Sequence, residues 1–350
     1  MRMLHILESF APGGIETTFL HVLRAFRSMD AAIRHDVLAF GGGPLEERYR
    51  QTAHEVVIGC SPETIEATLA QHYDLVHILF DRCAYRLLPF LLARTTVPVV
   101  YGKGYDLGGM YRLNEGLRWQ ADESMLAACD AATFTTAPLA AGYDIGAGRT
   151  TVLSKAADVE RFQAIADPGD ATADRIVCVA NLHPRKRVGD LILALERIVP
   201  AVPAASLRLV GGGSADEIAR LTALAGERGL AARVSFAGVV ADVAPEIASA
   251  RVVALPSSCE GVPTALLEGM AGGRPVVATS VGHTASIVAD GVEGYLCPVG
   301  DVGALSDRLR RLLVDRPLAA RMGAAARRRA AAHDVRTVAR TLLDALQAVA

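Results

Sequence analysis

Two glutamates eight residues apart, Glu260 and Glu268, lie within the stretch SSCEGVPTALLEGMAGG, residues 257–273. A carboxylate is an acceptor only, so each can take hydrogen bonds from a pair of vicinal hydroxyls, at about 1.5–3 kcal/mol for a charged bond. Between them stand Gly261, Val262, Pro263 and Thr264. Pro263 suits a first helical turn, where its missing N–H is no loss. The amides of Gly261, Val262 and Thr264 then open a helix N-terminus, whose dipole favours an anion by roughly 0.3–2 kcal/mol. An anion with hydroxyl-bearing rings on both sides describes a sugar, a diphosphate and a ribose. The plainer reading makes Glu260 a solvated loop residue and Glu268 a helix-surface one. Against it, the neighbours of Glu268 are nearly all apolar, and a buried carboxylate needs partners.

The elements that would hold these residues can be read on either side. RVVAL, residues 251–255, is an apolar, β-branched run of the kind found in buried parallel strands, and PVVA, residues 275–278, starts another. Gly272-Gly273 ends the short helix between them. The acidic loop therefore sits at the carboxyl end of a strand, where open α/β sheets bind ligands. A second strand, 175–180, exits into Asn181-Leu-His-Pro-Arg185-Lys186-Arg187, three cations suited to clamping a diphosphate. A third, 206–210, exits into Gly211-Gly212-Gly213, which lets backbone approach a flat ring. Near the start, strand MLHILE runs into Gly13-Gly14-Ile-Glu16, opening a helix over 15–27 that reads as packed on its sheet. This is not GxGxxG, so no dinucleotide fingerprint is present. Strand 97–101 exits at Lys103, and His77 lies near the end of another strand. The chain has only three lysines, 103, 155 and 186, each just after a predicted strand, while every other cation is arginine. An ammonium retained against such a bias points to chemistry that a guanidinium does not do.

With 350 residues and 51% hydrophobic content the chain can fill two α/β domains. The Pro- and Gly-punctuated stretch 164–173 is the expected boundary. It separates a domain over 1–163 from one over 174–333, with a last helix over 334–350 crossing back to the first. A net charge of -2 gives no field for nucleic acid. No apolar run is long enough to span a membrane, and Met1 leads straight into a strand. Six scattered cysteines without a CxxC point to reduced thiols and a cytoplasmic protein. Arg327–Arg329 is expected as a solvated face, with peripheral contact at the inner membrane leaflet as the alternative. No DxD loop or His/Asp cluster is present, so neither a metal nor another cofactor is expected.

The segments EGVPTALLE, GRPVVATSVG and DGVEGYLCPVGD resemble the donor-site signature of the family 4 glycosyltransferases. The resemblance covers almost the whole chain. It implies an α/β GT-B fold: two Rossmann-like domains with parallel sheets facing a central cleft. It implies that Glu260 faces a donor sugar and Glu268 holds a nucleotide ribose. Gly13, Gly14 and Glu16 match a GGxE element at the donor phosphates and acceptor cleft, and Gly211 and Gly212 border the base. Lys186 matches the family lysine, whereas Asn181 stands where an arginine is usual, leaving Arg185 or Arg187 to supply that charge. Lys103 stands where many relatives have histidine; Lys155-Ala156 replaces Asn-Gly, and His283 and Ser286 replace Gly and Glu. The implied activity is retaining, metal-independent transfer from a nucleoside diphosphate sugar to an acceptor hydroxyl on a saccharide or lipid-linked molecule. Glu260, Lys186 and Lys103 are its expected catalytic groups, in cell-envelope or exported polysaccharide or glycolipid synthesis. Two alternatives remain: a GT-B nucleotide-sugar epimerase, and a non-catalytic nucleotide-sugar-binding partner, which the departures at 103, 181 and 283 keep open.

Overall fold

Thirteen described strands, most of them short, β-branched and buried on both faces, form two sheets in which every pair of neighbours is parallel. Such strands need cover on both sides, and helices between successive strands supply it. The structure, a computed structural model, describes residues 1–11, 14–79, 87, 97–103, 126–146, 148–153, 155–164 and 174–350.

The chain forms two units, Met1–Ala156 with Val335–Ala350, and Ala157–Asp334. The division falls before the expected boundary at 164–173. Residues 157–163 pack in the second unit, because Val159 and Phe162 are buried in its core and Ala157 is bridged to Asp334.

The first unit holds seven strands in the order β3-β2-β1-β4-β5-β6-β7: β1 Arg2–Ser9, β2 Arg34–Gly41, β3 Glu55–Ile58, β4 Leu75–Ile78, β5 Val99–Lys103, β6 Ala131–Phe134 and β7 Thr150–Val152. Helix Gly14–Met29 covers one face with Phe19, Leu20, Leu23 and Phe26. The last helix, Val335–Gln347, packs against it. The sequence also predicts a helix over 115–129, which lies largely outside the described residues.

Three strands of this sheet carry a buried histidine each. His5 Nδ1 lies 3.2 Å from His77 Nδ1, and His5 Nε2 lies 3.0 Å from His35 Nδ1. Phe19 and Phe26 pack against the rings. His77 therefore belongs to a core ladder.

The second unit holds six strands in the order β10-β9-β8-β11-β12-β13: β8 Arg175–Val179, β9 Ser206–Val210, β10 Val234–Gly238, β11 Val252–Leu255, β12 Val276–Thr279 and β13 Gly294–Cys297. Its core is one apolar cluster built from β8, β9, β11 and β12 and from helices Val188–Ile198, Thr264–Ala271 and Val302–Val314.

Candidate functional site

In the second sheet the strand order reverses at β8, which has β9 on one side and β11 on the other. Loops leave the carboxyl ends of β8 and β11 there, the place where open α/β sheets bind ligands. The two sequence segments that carry the charged candidates, 181–187 and 257–264, are these two loops.

They meet through their charges. Lys186 Nζ lies 2.5 Å from Glu260 Oε1, with the side chains 15% and 11% exposed. Ser257 Oγ donates to the same oxygen at 2.5 Å. Ser258 ties the loops further, its amide and hydroxyl both donating to the Arg185 carbonyl. Beneath the pair the Cys178 thiol of β8 is fully buried. Burial pushes it up to about 12, with Glu260 adding and Lys186 opposing, so it stays a neutral thiol.

Beside the pair is an open helix end. Helix Thr264–Ala271 starts from Pro263 with no side-chain cap. The amides of Gly261, Val262 and Thr264 donate to no group among the described residues. Gly261, Val262 and Pro263 are buried and Thr264 is half-buried. Four residues into this helix Glu268 is half-buried. The loop after β12 braces the seat from behind. Gly282 has φ +51°, and any Cβ there would fall 1.7 Å from the Glu260 carbonyl oxygen. His283 N donates to the Gly261 carbonyl.

The three expected cations are not equivalent. Pro184–Lys186 is a single 3-10 turn. Arg187 is left-handed, φ 49°, and its guanidinium forks onto Asp190 at 2.8 and 3.2 Å. That charge is taken up inside its own turn. Arg185 is exposed, its guanidinium bonded to nothing among the described residues, and Asn181 is exposed beside it. Gly211 has φ +134°, and a Cβ there would sit 2.0 Å from the Ala180 carbonyl oxygen. Its neighbour Gly213 bridges Leu182, so the β8 and β9 exits also travel together. Gly212 borders Val239, which is 74% exposed.

The first unit holds the other candidates. Glu16, in the first turn of its helix, is 9% exposed; burial raises its pKa, its own amide opposing and Glu8 adding. Gly14 begins that helix, and Gly13 lies outside the described residues. Lys103 ends β5 at 1% exposure, its Nζ 5.3 Å from the centre of the Tyr143 ring.

The basic run 327–329 is not simply a solvated face. Arg327 donates to the Gly272 carbonyl at the end of the 264–271 helix, and Arg329 to the Ser286 carbonyl. Arginine forks suit the unpaired carbonyls of helix ends, which explains the difference. Sequence reasoning did not single out Ser257 and Thr279, which shape the site, or the fully buried Arg274, which lies before the amino end of β12 and whose guanidinium holds the Ile247 and Ala248 carbonyls.

Residues 173–315 match the family model described as glycosyl transferases group 1. The chain is 36% identical over 152 residues to the N-acetyl-alpha-D-glucosaminyl L-malate synthase of Bacillus anthracis, 43% of this chain and 39% of that protein. It is 30% identical over 227 residues to the D-inositol 3-phosphate glycosyltransferase of Nocardia farcinica, 59% of this chain and 49% of that one. The chain thus spans less than half the length of these curated relatives. Among solved structures, Anabaena HepE in complex with UDP-glucose superposes at a TM-score of 0.85 with 23% identity, over 99% of this chain and 100% of that one. The sucrose-phosphate synthase of Thermosynechococcus elongatus superposes at 0.82 with 20% identity, over 99% of each chain. The fold is GT-B, and the match to the glycosyl transferases group 1 model lies within the bounds of the second unit.

Proposed function

We propose that the protein is a retaining glycosyltransferase that moves a sugar from a nucleoside diphosphate sugar to an acceptor hydroxyl. The observation that carries this is the Lys186–Glu260 pair set beside uncapped amides at the strand reversal. The amides of 261–264 and the Lys186 ammonium would receive the diphosphate, and Arg185 is placed to add charge as the bond to the leaving group breaks. Glu260 would accept hydrogen bonds from the sugar and steady oxocarbenium charge. Glu268 would take the ribose hydroxyls. Retention would follow front-face displacement, a donor phosphate oxygen taking the acceptor proton. Charge offset by these cations makes the reaction metal-independent in this reading.

The donor-side reading is supported by the fold's likeness to a structure that holds UDP-glucose. By the same likeness to sugar-transfer proteins, the acceptor would be a saccharide or a lipid-linked molecule of cell-envelope or exported polysaccharide or glycolipid synthesis. The protein would work in the cytoplasm, peripherally at the inner membrane face when the acceptor is lipid-linked.

The test is a thermal-shift screen with UDP-, GDP-, ADP- and TDP-sugars, followed by donor hydrolysis with and without EDTA. One sugar nucleotide should raise the melting temperature, Glu268→Ala should abolish the rise, and EDTA should not change hydrolysis. A screen in which no nucleotide shifts the melt overturns the donor-site assignment.

A further inference from the structure

We propose that Ser257, itself anchored by Thr279, is the positioning residue that fixes which oxygen of Glu260 meets the donor sugar. The inference rests on the donor-site reading above and adds a part to it.

The Glu260 carboxylate is bonded asymmetrically. Both donors that reach it, Lys186 Nζ and Ser257 Oγ, bond the same oxygen, Oε1. Among the described residues nothing donates to Oε2, and that oxygen is not among the buried unpaired atoms. One oxygen is therefore occupied by the protein, and the other remains open to a hydroxyl from outside.

Ser257 is built into the sheet. It is 0% exposed and follows Pro256 at the end of β11. Pairing between β11 and β12 stops at Leu255 and Ala278, so the next groups along must find other partners. Thr279, 3% exposed at the end of β12, supplies one, its Oγ1 donating to the Ser257 carbonyl at 2.5 Å. The serine backbone is thus held by one strand while its own hydroxyl proton goes to the carboxylate. A free glutamate side chain has several rotatable bonds, and ordering it costs rotamer entropy. A binding group must be held to within about 0.5 Å to be productive. The ammonium of Lys186 alone would not do this once a diphosphate competes for it. The serine hydroxyl faces no such competitor, since a hydroxyl buried at the strand end has no exposed face to offer an anion.

The test uses Ser257→Ala, Ser257→Thr and Thr279→Val in the full chain, with UDP-glucose and GDP-mannose set against UDP and GDP. Ser257→Ala should weaken the sugar nucleotide by about tenfold, the worth of one charged hydrogen bond, while the parent nucleotide stays within about twofold. The Michaelis constant for the acceptor should stay unchanged while kcat falls. Ser257→Thr, which keeps the hydroxyl, should recover most of the loss, and Thr279→Val should show a smaller loss of the same kind. Equal weakening of nucleotide and sugar nucleotide, or no recovery with threonine, overturns the proposal in favour of a packing role. A ligand-free crystal structure of Ser257→Ala separates this inference from the function itself. The Glu260 carboxylate should leave its present position even if no nucleotide binds the wild type. A carboxylate that stays in place refutes the positioning role.

Discussion

In the first sheet three buried histidines stand within strands. His5, His35 and His77 form a ladder across β2, β1 and β4, sealed by Phe19 and Phe26. In the second sheet the corresponding mid-strand positions, such as Ile176, Val177, Val253 and Val277, are apolar. Among its buried polar groups, Ser257 and Thr279 lie at the carboxyl ends of β11 and β12, and Arg274 in the turn before β12. The two arrangements give buried polar atoms different partners. The ladder pairs rings with rings, leaves His35 Nε2 without a partner among the described residues, and exposes the first unit to protons. In the second unit Ser257 and Thr279 stand where β11 and β12 stop, at the proposed donor edge.

The largest expected effect breaks the comparison with acid. Burial lowers the pKa of all three imidazoles below 6.5, to about 4 for His35 and about 3 for His77, and well down for His5. The folded first unit then binds fewer protons than its unfolded chain. The ladder's stability is complete above about pH 6.5 and is lost as pH falls through the window toward the folded values. Between pH 6.5 and 5 each ring should cost up to about 2 kcal/mol. His54 and Arg27 also disfavour a charge on His35, while Asp36 and Asp30 favour it. Melts at pH 7.5 and 5.0 should show the first unit losing stability ahead of the second. His35→Phe should flatten that pH dependence even though it lowers the melting temperature at pH 7.5. An equal pH response from both units would remove the contrast.

Next comes the open edge of the second sheet. Glu260→Gln should keep the fold and lower kcat by about 10²–10³, as losing one preorganised charged group does at other enzyme sites. Steady-state kinetics with the donor found in the screen measures it. At the opposite edge of that sheet, Arg274→Met should cost about 1–3 kcal/mol in denaturant unfolding, because two helix-end carbonyls in the 244–248 helix lose their donor. The smallest effect belongs to Arg329→Ala. Its bond to Ser286 is exposed, so stability should change by no more than about 0.5 kcal/mol.

The proposed donor edge is readable in the sequence because its chemistry is local. Glu260, Gly261 and Thr264 are near neighbours in one loop, and apolar runs on both sides mark it as a strand exit. Lys186 was readable for the same reason at the next exit. Other features needed the fold. His5 lies 30 residues from His35 and 72 from His77, and only the order β2-β1-β4 brings them into one ladder. Ser257 and Thr279 are ordinary hydroxyl residues 22 apart, and their bond depends on β11 and β12 lying side by side. Arg187 was expected to serve the diphosphate. Asp190, three residues on, is a partner at helical spacing that was present in the sequence and takes its charge. Composition suggested a boundary at 164–173, but the apolar Val159 and Phe162 had already committed the chain to the second core.

The short bridge between Ala157 and Asp334 has a consequence for how such a protein can change over evolution. The polypeptide leaves the first unit once, returns once, and its points of departure and return touch. Everything between them is one uninterrupted cassette with adjoining ends, which a single recombination event could exchange without severing a strand of either sheet.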